Sequence, residues 1–148
     1  MPAHWLIGAQ LFRVLGAVFL VLLSAHRLPA AFAWPAGIGD LAVGLLAPIV
    51  ALRYARHPRE SVALAVAWNS LGLIDLINAI AMGFLSSPSP LQLILRDAPN
   101  ALIAVYPLVL VPVYLVPIAI VLHLASLRQL KAAAASHESG SAPAPQPF

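Results

Sequence analysis

No cysteine occurs anywhere in the 148 residues. Its absence excludes disulfides, thiolate metal sites and the covalent attachment of a c-type haem. Charge is nearly as scarce. Asp, Glu, Lys and Arg make up 9% of the chain, against about 25% in a soluble domain. A surface so poor in charge cannot keep a folded chain in water, so a sizeable soluble domain is excluded. Lysine is almost missing, since seven of the eight basic residues are Arg. With abundant Ala and Pro, that bias fits a GC-rich bacterial genome. Enzyme signatures are lacking too. There is no G-x-S-x-G, no H-E-x-x-H and no Asp/Glu-rich metal cluster. Ser24, Ser70 and Ser126 have no evident base at matching depth. The reading leans away from an enzyme and assigns no catalytic or metal-ligating residue.

What is present is apolar length. Hydrophobic residues make up 61% of the chain, and the mean hydropathy is +0.92. Four stretches reach or approach the roughly 17–25 residues that cross a bilayer as a helix. They are about Trp5–Ala25, Ala36–Leu52, Ser61–Leu85 and Ala101–Leu127. This predicts an all-α fold, a polytopic transmembrane helical bundle occupying residues 1–131. A small, Pro-rich tail over 132–148 is expected to be disordered. The first stretch reads as a span and not as a signal peptide, because Arg13 interrupts it and no basic segment precedes it. The fourth carries Pro107, Pro112 and Pro117 at five-residue steps. That spacing predicts a kinked helix and a candidate hinge, since each proline removes a backbone donor.

The net charge is +3 and the pI about 10.0. The basic residues flank apolar runs, so they read as topology signals and not as a nucleic-acid surface. Arg53, Arg56, Arg59, Arg128 and Lys131 oppose only Arg27 and Arg96. The excess predicts cytoplasmic termini and a cytoplasmic Arg53–Glu60 loop, in a bacterial inner (plasma) membrane. Between the spans, Leu91–Leu95 is too short to cross and is expected to lie at the interface or to dip in and return. Trp34 suits a headgroup anchor.

Three charges fall inside the spans: Arg13, Asp40 and Asp75. On helical wheels of about 100° per residue, each lies among small residues, with bulky aliphatics opposite. Gly16 and Ala17 share the side of Arg13, Gly44 and Ala47 that of Asp40, and Trp68, Gly72 and Asn78 that of Asp75. Small residues let membrane helices approach closely. A charge facing lipid at mid-membrane costs at least about 2.5–3.5 kcal/mol. The charges should therefore face the bundle interior. Arg13 and Asp75 lie at similar depths and form the expected pair, with Gln10 and Asn78 completing its hydrogen bonds. Asp40, four residues into its predicted span, should sit near the outer interface.

Two readings follow. In one, Arg13, Asp40, Asp75, Asn69 and Asn78 line a substrate or proton pathway. In the other, the same residues only specify which helix packs on which. A haem b would need two histidines at one depth on facing helices. His26 and His123 lie at opposite ends of the predicted spans and His4 at the N-terminus, so no cofactor is assigned.

The segments "QLFRVLGAVF", "WPAGIGDLAVG", "SPSPLQL" and "PNALIAVYPLVLVPVYLVP" followed by "HLASL" resemble a group of small bacterial integral membrane proteins without an assigned activity. Some of that group carry the loose label "permease". The resemblance runs from about Gln10 to Leu130. It implies a helical membrane bundle and transfers no catalytic or binding residue. It also implies that relatives can carry further N-terminal spans, making Trp5–Ala25 an internal helix in them. The expected function is a small permease-like transporter of a proton-coupled or polar solute; the alternative is a non-catalytic accessory or scaffold subunit. Besides the lipid bilayer, the expected partners are further copies of the chain or a larger membrane complex, because four helices alone wall only a small cavity. No nucleic acid is expected.

Overall fold

A computed structural model of the chain describes residues 1–94 and 99–140, with side chains through residue 135. All regular structure among the described residues is helical. Four helical spans are long and apolar enough to cross a membrane: Ala3–Ser24, Ala30–Arg56, Pro58–Ser86 and Val111–Ala135. The all-α bundle expected from hydropathy is therefore present.

The first span is not one regular helix. Helix α1 (Ala3–Ala9) passes into a 3-10 segment (Gln10–Gly16) and then into α2 (Ala17–Ser24). Seven residues is long for a 3-10 run, which seldom exceeds about 3–4. Its three-residue repeat stacks Gln10, Arg13 and Gly16 on one buried stripe. Helix α2 ends in a Schellman turn. Arg27 N–H bonds Leu22 O at 2.8 Å and His26 N–H bonds Leu23 O at 2.9 Å. His26 takes the left-handed conformation such a turn requires, φ 54°.

Helix α3 (Ala30–Arg56) starts six residues before the predicted span, on Pro29 O, which accepts from Ala33 N–H at 2.9 Å. Small and apolar residues around Pro35 continue the helix, although each of Pro35 and Pro48 removes one donor. The earlier start corrects the depth expected for Asp40, which lies ten residues in, about 15 Å from that end. The Arg53–Glu60 connection also shrinks. Only His57 separates α3 from α4 (Pro58–Ser86). A residue before proline resists the helical conformation, and proline suits a first helical position, so the chain reverses there in one residue.

The fourth span is displaced furthest from expectation. Residues 101–110 do not open it. They form turns and a short 3-10 helix, Leu102–Ala104. A π-helical stretch, Val111–Leu115, then leads into α5 (Val116–Gly140). Pro107 lies in the preceding turn, Pro112 is second in the π stretch and Pro117 second in α5. The three prolines thus gather at the start of the helix, where a missing N–H costs least. They do not hinge its middle. At the other end, α5 runs on through Ala132–Gly140, where four consecutive alanines favour helix. The rest of the predicted tail, 141–148, lies outside the described residues, as do Leu95 and Arg96 of the 87–100 connection.

In the half of the bundle bearing the chain termini, α1 packs on α3 and α5, and α4 packs on the same two, closing a ring of four helices. Its core is Ile7, Val43, Ala47, Val50, Ala65, Trp68 and Leu130 with their neighbours. In the far half, α2 packs on α3, and the aromatic pair Phe19–Phe32 is covered by Leu102, Ile103, Leu108 and Val111.

Candidate functional site: a charged layer at mid-membrane

Arg13 lies eleven residues from Ser24, Asp75 eleven from Ser86 and His123 twelve from Val111. With Asp40 ten residues from Ala30, all four stand roughly 15–18 Å from the far end of their spans. They meet in one layer.

The 3-10 segment presents Arg13 inward, and its guanidinium fans across three helices. Nε donates to Asp40 Oδ1 at 2.8 Å, and Nη2 donates to Asp75 Oδ2. Nη1 donates to Gly72 O at 3.3 Å and meets His123 Nε2 at 3.2 Å. Arg13 is 2% exposed, while both carboxylate side chains are 16% exposed. The planar fork of arginine is what allows one cation to serve two carboxylates at once.

Arginine has only donors, so His123 Nε2 must accept and its proton resides on Nδ1. Nδ1 then donates to Asn69 Oδ1 at 2.9 Å. The Asn69 amide nitrogen donates in turn to Ala65 O at 2.7 Å and Ser126 Oγ at 3.1 Å. Trp68 stacks obliquely on the imidazole, centroids 5.2 Å apart. A hydrogen-bonded chain thus links the ion-paired layer to Ser126, toward the termini.

Glycine makes the layer possible. A Cβ on Gly39 would collide with the Asp75 carboxylate, one on Gly16 with Asp40, and one on Gly72 with the His123 ring. Each polar head therefore lies against the bare backbone of the next helix. A narrow crevice of about 20 Å³ reaches Arg13 and Asp40. That is room for about one water molecule. Phe12 and Leu15 of the 3-10 segment form one wall; Val111 and Leu115 of the π stretch form another.

Of the residues singled out in the sequence, Arg13, Asp75 and Asp40 are brought together, with Asp40 a full partner and not an interfacial residue. Asn69 joins through His123. Gln10 is fully buried, but its amide nitrogen donates to Ala119 O at 2.9 Å, and its Oε1 has no partner among the described residues. Asn78 does not join at all; it is exposed on the outer face of α4. A wheel centred on Asp75 puts Asn78 on the inner side, whereas packing centres α4 on Gly72, about 60° away at 100° per residue. That rotation carries Asn78 out of the bundle.

In the sequence His123 and Ser126 are weighed only as a haem ligand and a nucleophile, and a fourth span begun ten residues too early puts His123 near its end and not in the layer. A signal was available. Ala119, His123, Ser126 and Leu130 are all buried on α5 at steps of four, three and four, the periodicity of a packed helix face. Both ring nitrogens of His123 are engaged, and His26 is exposed at the far end. No group of three or more His, Asp or Glu among the described residues could hold a metal ion.

Four apolar spans around a buried charged layer define a polytopic helical membrane protein. The chain belongs to the family described as a domain of unknown function, DUF8737, whose model matches residues 1–131. No curated protein and no solved structure matches it.

Proposed function

We propose that the protein is a small permease-like carrier, coupling proton movement to the passage of a small polar solute through the Arg13–Asp40–Asp75 layer. The observation that carries this reading is the stoichiometry of the layer. Two carboxylates face one guanidinium at mid-span, leaving one negative charge over. A single proton on the pair makes the layer neutral, and an unbalanced charge in a low-dielectric interior is costly. Both carboxylates keep partial exposure, and the crevice at Asp40 admits a water-sized species. Ionisable groups within membrane spans commonly mark such pathways.

Arg53, Arg56, Arg59, Arg128 and Lys131 are all exposed, toward the end of the bundle that bears the termini. Their gathering supports a cytoplasmic location for that end, in a bacterial plasma membrane. One observation favours the scaffold reading instead: every nitrogen of the guanidinium already has a protein partner, as in a purely packing ion pair.

Proteoliposomes separate the two. An internal pH-sensitive dye reports proton entry under an imposed potential, with and without added sugars or amino acids. The carrier reading expects entry above that of empty liposomes, reduced to background by Asp75→Asn while the variant elutes and folds like the wild type. Wild-type flux equal to that of empty liposomes under every condition leaves the scaffold reading standing.

A further inference from the structure

The outward faces of α3 and α4 differ in kind. On α3 the exposed residues include Ile38, Leu45, Ile49 and Leu52, an aliphatic surface suited to lipid. On α4 the centre of the exposed face is Ala63, Ala67, Ser70, Ile74, Asn78 and Ala81. These six repeat at steps of four, three, four, four and three, within about 40° of Ile74 on a 100° wheel. Five are small or polar, while the larger Leu71 and Ile77 flank them.

Asn78 is the anomaly in that stripe. It is exposed and makes no hydrogen bond among the described residues. It lies six residues from Gly72 at the middle of α4, about 9 Å along the axis. The hydrocarbon extends about 15 Å to either side of mid-membrane. Exposure here means exposure to lipid tails, where an amide has nothing to bond. Small residues around it let another helix come close. An asparagine side chain both donates and accepts, so two of them across a two-fold axis satisfy each other, and such an axis brings equivalent residues together.

We propose that the Ala63–Ala81 face of α4 is the dimerisation surface of this protein, with Asn78 of one copy hydrogen-bonded to Asn78 of a second. The dimer leaves the charged layer intact in each copy and does not depend on what that layer carries.

The natural absence of cysteine makes the test clean. Asn78→Cys and Leu45→Cys, each the only cysteine in its chain, are reconstituted at high lipid-to-protein ratio and oxidised. Disulfide-linked dimer should form at least tenfold faster for Asn78→Cys. Single-molecule photobleaching of the labelled wild type should show two-step traces. Asn78→Leu should weaken association about threefold to thirtyfold, from the range measured for interhelical hydrogen bonds in membranes. Ala67→Phe, which adds bulk to the same stripe without touching the bundle core, should also shift traces to one step. One-step bleaching of the wild type at every surface density overturns the proposal. So does cross-linking through Leu45→Cys as fast as through Asn78→Cys, or a wild-type dimer unaffected by both α4 substitutions.

Discussion

The two halves of the bundle are built differently. The half bearing the termini is four helices wide, with α5 seated between α1 and α4 and small side chains such as Ala47 and Ala65 at its centre. The far half has α2, α3 and α4, and its fourth side is the irregular run 99–110 with its one short 3-10 helix. There the core holds an aromatic pair. Phe19 and Phe32 meet edge to face at 5.2 Å, and apolar residues of the irregular run lie over them. That pair and its cover fill the width that a missing helix leaves. In the terminal half, Ala47 and Ala65 let four helices close beside the buried Trp68 and Tyr54. The charged layer sits at the junction, so its walls belong to both kinds of packing. The 3-10 and π segments lie where one kind gives way to the other. The difference shows what replaces a missing helix: with α3 and α4 running unbroken through both halves, an irregular run and the side chains beneath it close the far side.

The largest break should come from the junction. Arg13→Leu leaves two buried carboxylates facing each other, and removing one partner of a buried ion pair costs about 3–5 kcal/mol. Denaturant unfolding in detergent should register that loss. Adding Asp40→Asn and Asp75→Asn to the same chain should restore part of it. If the triple variant is no more stable than the single, uncompensated charge is not the cause.

Glycine substitutions set the charged layer against a site outside it. Gly72→Ala places a methyl into the His123 ring, an overpacking expected to cost about 1–3 kcal/mol. Gly83→Ala in the far half meets only Phe32, at 3.7 Å, an ordinary contact. Its melting temperature should stay near that of the wild type. Equal effects at the two sites would show that the close approach of His123 to Gly72 is not what limits that position.

His123→Leu should cost about 1–3 kcal/mol, because Asn69 Oδ1 loses its donor inside the bundle. His123→Gln can accept from Arg13 and donate to Asn69, so it should recover most of that loss. A glutamine variant as unstable as the leucine variant would show that ring packing on Trp68, and not the hydrogen-bonded chain, holds the position.

A smaller loss is expected where the run 99–110 is tied to the end of α4. Asn100 is fully buried; its backbone N–H bonds Ser86 O at 2.8 Å and its side chain bonds Ser86 Oγ at 3.3 Å. Asn100→Ala should cost about 0.5–1.5 kcal/mol. Hydrogen exchange should quicken over 99–110 while the amides of Val43–Tyr54 keep their protection. Uniform loss of protection would mean that the two halves open as one unit.

Much of this was legible before any coordinates, and the reasons are specific. Hydropathy alone determined that the chain is a helical membrane bundle with four spans, because nothing but a hydrogen-bonded helix or a closed barrel crosses lipid. Charge scarcity determined that Arg13, Asp40 and Asp75 would be turned inward, because lipid penalises the alternative. Tertiary structure decided the rest. It started α3 at Ala30 and the fourth span at Val111, which brought Asp40 and His123 to the depth of Arg13. It rotated α4 about Gly72, which admitted Asp75 to the bundle and left Asn78 outside. Hydropathy is an average over some twenty residues and cannot resolve a shift of six or ten. A wheel cannot choose its own centre; only the glycines of the neighbouring helices do that, by showing which face can come close.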